Sequence, residues 1–452
     1  MERIAIEKLV KWNESKRRKP LIVWGARQVG KTYLIKDIFA KKHYKNNFVY
    51  VDFKIEDEIN EFCSKTANAE KIIEYISLLK GQQITEKTLL IFDEVQECPN
   101  IISALKYFCQ DFREIPVIAT GSMVRIKLQR VINKRGGGEK FLFPVGKIDQ
   151  ITIYPMTFDE FLLNNNRVLY DKIKVAYKAR IPLDSSIHEL AMEQVYKYLL
   201  VGGMPEAVDA FIENGDLFEA REILKSLYDN YLSDMDLYQA SREAILRSRT
   251  LFSNIYRELN KESKNFSPGL IEENSKTRDF ATSIEWLTMA HIVNQSYQLK
   301  EHVTMPLMKD NDGSFRLFLG DVGMFSYQSG INAASFVSTD RENTLSGIFF
   351  ENFVAAELIA KGNPLFYWRG KASSELEFII ESDNKLYPID VKKGRGVLNS
   401  LEKFSNHNKY ECAIKISSGN YGYDETKKLL TTPLYFTPFI AEDMANGAFA
   451  IK

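Results

Sequence analysis

The chain has 452 residues, 45% of them hydrophobic, with 60 basic and 60 acidic side chains and four cysteines. That length holds two to four domains with ample core, and the balanced charge excludes the electrostatic signature of a nucleic-acid coat or a membrane-surface binder. Cys63, Cys98, Cys109 and Cys412 are widely separated with no C-x-x-C pair, which argues against a disulfide framework or a zinc site and suits a reducing cytoplasm.

In chain order, the opening MERIAIEKLVKW lacks the apolar core of a signal peptide. No apolar run approaches the ~20 residues of a bilayer span. The expectation is a cytoplasmic protein with no membrane partner. Leu21–Thr32, LIVWGARQVGKT, then reads as a buried strand, a glycine-rich turn and the start of a helix. Gly25, Gly30, Lys31 and Thr32 fill the fixed places of the P-loop pattern G-x-x-x-x-G-K-[ST]. Glycines allow the tight turn that aims successive N–H groups at phosphate, and the helix N-terminus adds its dipole. Lys31 can reach the β- and γ-phosphates and Thr32 can ligate Mg²⁺. The whole stretch Gly25, Ala26, Arg27, Gln28, Val29, Gly30, Lys31, Thr32 and Tyr33 is expected to line ATP. In the helix that follows, Leu34, Ile35, Ile38 and Phe39 fall on one face at the usual α-helical spacing.

Strand and helix then alternate. FVYVDF at 48–53, a helix over 69–80, a strand entering Asp93 and Glu94, a helix near 101–112, and strands at 116–120 and 150–154 predict a parallel, doubly wound α/β sheet. LLIFDE delivers two carboxylates at the C-terminal end of a buried strand, where open α/β sheets bind ligands. Downstream of a P-loop this is a Walker B pattern: Asp93 holds Mg²⁺, and Glu94 orients and activates water. Thr120 and Ser122 read either as γ-phosphate sensors or as an ordinary turn of small residues. RVINKRGGGEK implies a mobile loop, with Arg130 and Arg135 either arginine fingers in trans or solvated side chains.

Residues 157–249 read as a helical lid, broken at Gly202, Gly203 and Pro205. From about 250, NIYRELNKES, SPGLIEENS and TRDFATSIEWLTMAHIVNQ suggest three helices, and YQLK with FRLFLG suggests a wing. Glu285 and the scarcity of basic charge on the third helix argue for packing rather than DNA readout.

From 334 the chain is α/β again. GIFFENFVAAELIAK places Glu351 on an apolar helical face, which is costly without a partner. ELEFIIE and KLYPIDVKK read as antiparallel strands with Glu377 opposite Asp390 and Lys392. Together these four residues resemble the PD-(D/E)xK nuclease core, in which acidic residues such as Glu351, Glu377 and Asp390 hold a divalent metal and the lysine positions water. The Asp and Glu positions are exchanged here and the proline–aspartate pair is missing. An active nuclease and a nuclease-like fold without chemistry both remain open.

GARQVGKT, LLIFDEVQECP, IATGS, ITIYPMTFDEFL, YLLVGGMPEAV and GIFFENFVAAEL…YWRGK…ELEF…YPIDVKK occur in this order. In that order they resemble the bacterial and archaeal AAA-type ATP-binding proteins with a C-terminal nuclease-like domain of unknown function. The expected organisation is a P-loop ATPase domain at 1–156, a helical lid at 157–249 and a winged-helix-like domain at 250–333, both read from their residue patterns, and a nuclease-like domain at 334–452. One departure stands out: the family has Gly-Arg where this chain has Gly146 and Lys147, and lysine lacks arginine's bidentate fork. The reading is an ATP-hydrolysing switch, with DNA or RNA and a second copy of the chain as candidate partners. The rival is a regulatory module in which ATP is only a conformational ligand. A helicase reading has no second motor lobe to support it.

Overall fold

The computed structural model describes residues 1–121, 143–238, 241–310, 313–331, 347–370, 374–392 and 399–451. They form two compact units: an N-terminal unit of Arg3–Tyr154 with Met289–His291, and a C-terminal unit of Met1–Glu2, Pro155–Thr288 and Ile292–Lys452.

The N-terminal unit is built on five parallel strands: β1 (Leu21–Trp24), β2 (Phe48–Asp52), β3 (Leu89–Asp93), β4 (Val117–Thr120) and β5 (Asp149–Thr152). Their order across the sheet is β2-β3-β4-β1-β5. The three inner strands, LIVW, LLIFD and VIAT, are buried along their whole length. The edge strands β2 and β5 keep half-buried or exposed positions. That is the pattern of a sheet covered on both faces by helices. Helix Ala69–Lys80 opens on Asn68, whose side chain accepts from Lys71 N, and closes on Gly81 in the left-handed region. Helix Pro99–Asp111 starts on its proline and buries Leu105 and Phe108. Phe92 stacks edge-on against Phe108 at 5.9 Å between ring centres, each such fully buried ring contributing about 2–3 kcal/mol.

The helix after the P-loop differs from expectation. Tyr33–Ala40 is a π-helix, continued by an α-helical turn at Lys41–His43. Its wider turn, closed by i→i+5 hydrogen bonds, brings residues five apart onto one face. Leu34 with Phe39, and Ile35 with Ala40, are therefore the buried pairs, and Ile38 is only half-buried.

The C-terminal unit begins with six helices: Phe158–Asn165, Arg167–Ala179, Ser185–Val201, Pro205–Asn214, Leu217–Tyr238 and Arg242–Ser253. The first is held to the double glycine at its back. Met156 N donates to Gly203 O at 2.6 Å, and Gly203 N donates to Asp321 Oδ2 at 2.7 Å. Two mixed sheets follow. β6 (Val293–Leu299) pairs antiparallel with β7 (Phe315–Leu319) and parallel with β8 (Phe366–Arg369), and β8 pairs with β9 (Glu375–Leu376). β10 (Phe378–Ser382) and β11 (Lys385–Val391) form a hairpin, and β12 (Ala413–Ser417), β13 (Gly422–Asp424) and β14 (Leu429–Pro433) complete a sheet of order β10-β11-β12-β14-β13.

The two strands read as a wing pair form, as β6 and β7. However, β6 starts at Val293, inside the stretch read as the third helix, which ends at Met289, and β6 also pairs with β8 from the segment assigned to the nuclease-like domain. Of the three helices expected before the wing, the middle one is a single 3₁₀ turn, Pro268–Leu270. Helix Gly347–Lys361 is buried on nearly every side, as its all-round apolar sequence requires. Asn352 fixes it to β7, accepting from Leu319 N at 2.9 Å and donating to Leu319 O at 3.2 Å. Among the described residues no helix is long and apolar enough to cross a membrane.

Candidate functional site

In the N-terminal unit the chain leaves β1 at Trp24 and turns through Gly25–Gly30. Gly25 has φ 147° and Gly30 φ 83°, in the region where a side chain is strained. At Gly25 a Cβ would also lie 2.2 Å from Ile153 O, so no other residue fits. Gln28, although not glycine, sits at φ 63°, strain of the kind that collects at ligand clamps. Arg3 ties the loop to the end of β5: Nη1 donates to Val29 O and Nη2 to Tyr154 O, both at 3.0 Å.

Lys31 folds back over its own loop, with Nζ donating to Gly25 O at 3.1 Å and Ala26 O at 2.7 Å. Burial pushes its ammonium down to about 8, because a charged group is disfavoured away from water. Thr32 Oγ1 donates to Asp93 Oδ2 at 2.7 Å, which joins the loop to the end of β3. Tyr50, on β2, donates to the same oxygen at 2.9 Å. Burial and the Asp93 charge push the Tyr50 phenol well up, so it stays a donor. Lys36 Nζ lies 4.1 Å from the centre of the Tyr50 ring.

Glu94 follows at φ 50°, its N–H bonded to Asp93 Oδ1 at 2.8 Å. Gln96 Nε2 donates to Glu94 Oε2. Burial raises the Glu94 carboxyl, and the Gln96 amide pulls it back. Thr32 Oγ1 and Asp93 Oδ2 are adjacent hard oxygens, a donor set that fits Mg²⁺ with water filling the remaining positions. Thr120 Oγ1 donates instead to Val23 O at 3.3 Å, inside the sheet. Ser122, Arg130 and Arg135 lie outside the described residues.

A second constellation lies within the C-terminal unit. Glu377 sits at the β9–β10 junction, and its Oε2 accepts from Val391 N at 3.1 Å across the hairpin, as the register expected. Lys392 Nζ is 2.7 Å from Asp390 Oδ1 and 3.6 Å from Glu377 Oε1. The partner that Glu351 requires is Lys264, whose Nζ donates to Glu351 Oε1 at 2.6 Å. The same ammonium is 3.6 Å from Glu375 and 4.0 Å from Glu377. Arg316 is fully buried, lies over the Tyr367 ring at 3.9 Å and pairs with Glu375 at 2.5 Å. Burial, and the neighbouring Glu377 for Asp390, push Glu351 and Asp390 each up to about 7. For Glu377 burial acts in the same direction, but Lys392 and Lys264 outweigh it and hold the carboxyl below its usual range. Among the described residues no three His, Cys, Asp or Glu side chains are gathered to hold a metal as they stand.

Residues 17–162 match the family model described as AAA domain. They form a P-loop domain of the AAA type. This AAA domain brings together Gly25–Tyr33, Asp93 and Glu94, with Lys31 buried and Tyr33 largely exposed. Residues 192–335 and 346–435 match two further families, DUF8612 and DUF4143, each a domain of unknown function. The chain is 24% identical to the uncharacterized protein MJ1544 of Methanocaldococcus jannaschii, over 87% of this chain and 78% of that one. It is 27% identical to MJ1637 of the same organism over 45% of this chain and 41% of that one. A Walker-type ATPase of Pyrococcus abyssi aligns at TM-score 0.42 and 14% identity, covering 72% of this chain and 94% of that one.

Sequence reasoning missed Tyr50, Gln96 and Arg3 at the AAA site, and Lys264, Glu375 and Arg316 at the carboxylate centre. Gln96 carried a signal, standing two residues after Glu94 in the same short motif. Lys264 carried none, being 87 residues from the carboxylate it meets.

Proposed function

We propose that the AAA domain binds ATP with Mg²⁺ and hydrolyses it, and that the nucleotide cycle switches the rest of the chain. One observation carries this reading: Thr32 and Asp93 meet at 2.7 Å, which places the two phosphate-and-metal motifs side by side. Lys31 binds the β- and γ-phosphates. Thr32 and Asp93 hold Mg²⁺, which when bound draws charge from the transferring phosphoryl group. Glu94 orients the attacking water and takes its proton. The helical segment 157–249 is read as a lid, and the segment 250–333 as a winged-helix-like module that packs rather than reads DNA. The four buried cysteines, all free thiols, accord with a cytoplasmic setting. A homo-oligomer would supply an arginine in trans.

A second reading concerns the C-terminal unit and is favoured by the convergence of Glu351, Glu377, Asp390 and Lys392. It is a nuclease-like centre acting on DNA or RNA under the control of nucleotide state. The test incubates the full chain with DNA and with RNA, in Mg²⁺ or Mn²⁺, with and without ATP, beside Lys392→Ala. Metal-dependent cleavage that disappears in the variant supports the nuclease reading. Cleavage that survives in the variant removes it. ATP hydrolysis with no cleavage in any condition leaves the C-terminal unit as a partner-binding element.

A further inference from the structure

Three carboxylates, Glu351, Glu377 and Asp390, reach one buried place from three elements: helix Gly347–Lys361, the β9–β10 junction and β11. Each is 5% exposed or less. The centre is short of donors. Glu351 Oε2 is buried with no hydrogen-bond partner, a costly state for a carboxyl oxygen away from water. Lys264 makes one hydrogen bond, to Glu351, and its 3.6 and 4.0 Å approaches to Glu375 and Glu377 are ion pairs only. Glu375 is taken up by Arg316. Among the described residues these three carboxylates face two ammonium groups, Lys264 and Lys392. A divalent ion in place of Lys264 brings one more positive charge and gives the bare Glu351 oxygen a hard cation.

We propose that Lys264 is a tethered cation that keeps a divalent-metal site closed, and that withdrawal of its ammonium lets Glu351, Glu377 and Asp390 share one Mg²⁺ or Mn²⁺. Lys264 stands in the irregular segment between Leu259 and Pro268. That segment is pinned just beyond it: Tyr367 OH donates to Asn265 Oδ1 at 2.7 Å, and Phe266 N donates to Phe315 O at 2.9 Å. The backbone is thus fixed while the side chain is 17% exposed, so the ammonium has a route to solvent by rotation about its own bonds. Lys264 stands between Glu351 and Glu377, at 2.6 and 4.0 Å, while Lys392 pairs with Asp390 at 2.7 Å. The segment matched to one family, 192–335, thereby supplies the plug for a centre in the segment matched to another, 346–435. The inference builds on the nuclease-like reading, yet its test measures metal binding and not cleavage, so the two fail separately.

The experiment titrates Mn²⁺ into the full chain without nucleotide, following free Mn²⁺ by electron paramagnetic resonance. Lys264→Met is expected to hold one Mn²⁺ per chain at least about tenfold more tightly than the wild type, and Asp390→Asn in that background to remove the gain. Equal affinity in wild type and Lys264→Met, or a gain that survives Asp390→Asn, overturns the proposal. A second measurement needs no substitution. Saturating Mn²⁺ is expected to raise the acetylation of wild-type Lys264 severalfold, read by mass spectrometry, and unchanged reactivity counts against the exchange.

Discussion

Glu94→Gln is expected to retain nucleotide and to hydrolyse it about 10²- to 10⁴-fold more slowly, the range lost when a positioned general base is removed. Glutamine keeps the size and the planar end of the side chain, so its place next to Asp93 survives. What it lacks is a carboxylate to take the proton from water. The backbone argues for a functional role. Glu94 is held at φ 50°, where a non-glycine residue costs of order 1 kcal/mol or more. It is held there by its own N–H on Asp93 Oδ1 and by Gln96 on its carboxylate. Phosphate release in single turnover, alongside a binding titration, separates the two effects. Equal hydrolysis rates in wild type and variant would remove Glu94 from the reaction.

The largest expected loss of stability is at Gly203. A Cβ there would lie 1.9 Å from Met156 O and 2.8 Å from Met156 N and C. All three are backbone atoms, so no side chain can swing aside. Gly203→Ala must push Met156 away and stretch the 2.6 Å bond from Met156 N to Gly203 O. It also strains the bond from Gly203 N to the buried Asp321 carboxylate. Overpacking and lost buried hydrogen bonds together cost about 3–5 kcal/mol. Thermal unfolding should show a drop of roughly 10 °C. Gly269→Ala is the control, since nothing lies within 4 Å of the added methyl, and it should melt close to the wild type.

How much of this was legible in the sequence depended on how local each determinant is. The inner strands β1, β3 and β4 could be read because burial on both faces makes them continuous apolar runs. The helix Ala69–Lys80 could be bounded because Asn68 and Gly81 are a cap and a stop in the sequence itself. Ile38 departs from the expected face because the P-loop helix takes more residues per turn than the α-helical spacing its sequence suggests. The β6–β7 hairpin was visible as two nearby β-rich runs. The parallel pairing of β6 with β8 was not, since topology and not local pattern chooses a parallel neighbour.

At the carboxylate centre the need was legible and its answer was not. Glu351 on an apolar face demands a cation, but nothing near it in sequence identifies Lys264. Arg316 reads in sequence as an ordinary strand residue. Its burial over Tyr367 follows only from the meeting of β7, β8 and β9 in one sheet.

ATP binding through Lys31 is tested by an ATP titration of wild type and Lys31→Ala between pH 7.5 and 9.5. Bound phosphate holds the lysine charged, whereas in the free protein burial lowers it to about 8. Above that pH binding must take up a proton, so wild-type affinity is expected to fall, by up to about tenfold per pH unit. Lys31→Ala should bind about 10- to 100-fold more weakly at pH 7.5, the worth of a charge-assisted contact to phosphate. Its affinity should then show no further loss as pH rises. Equal affinities in the two proteins across this range would remove Lys31 from nucleotide binding.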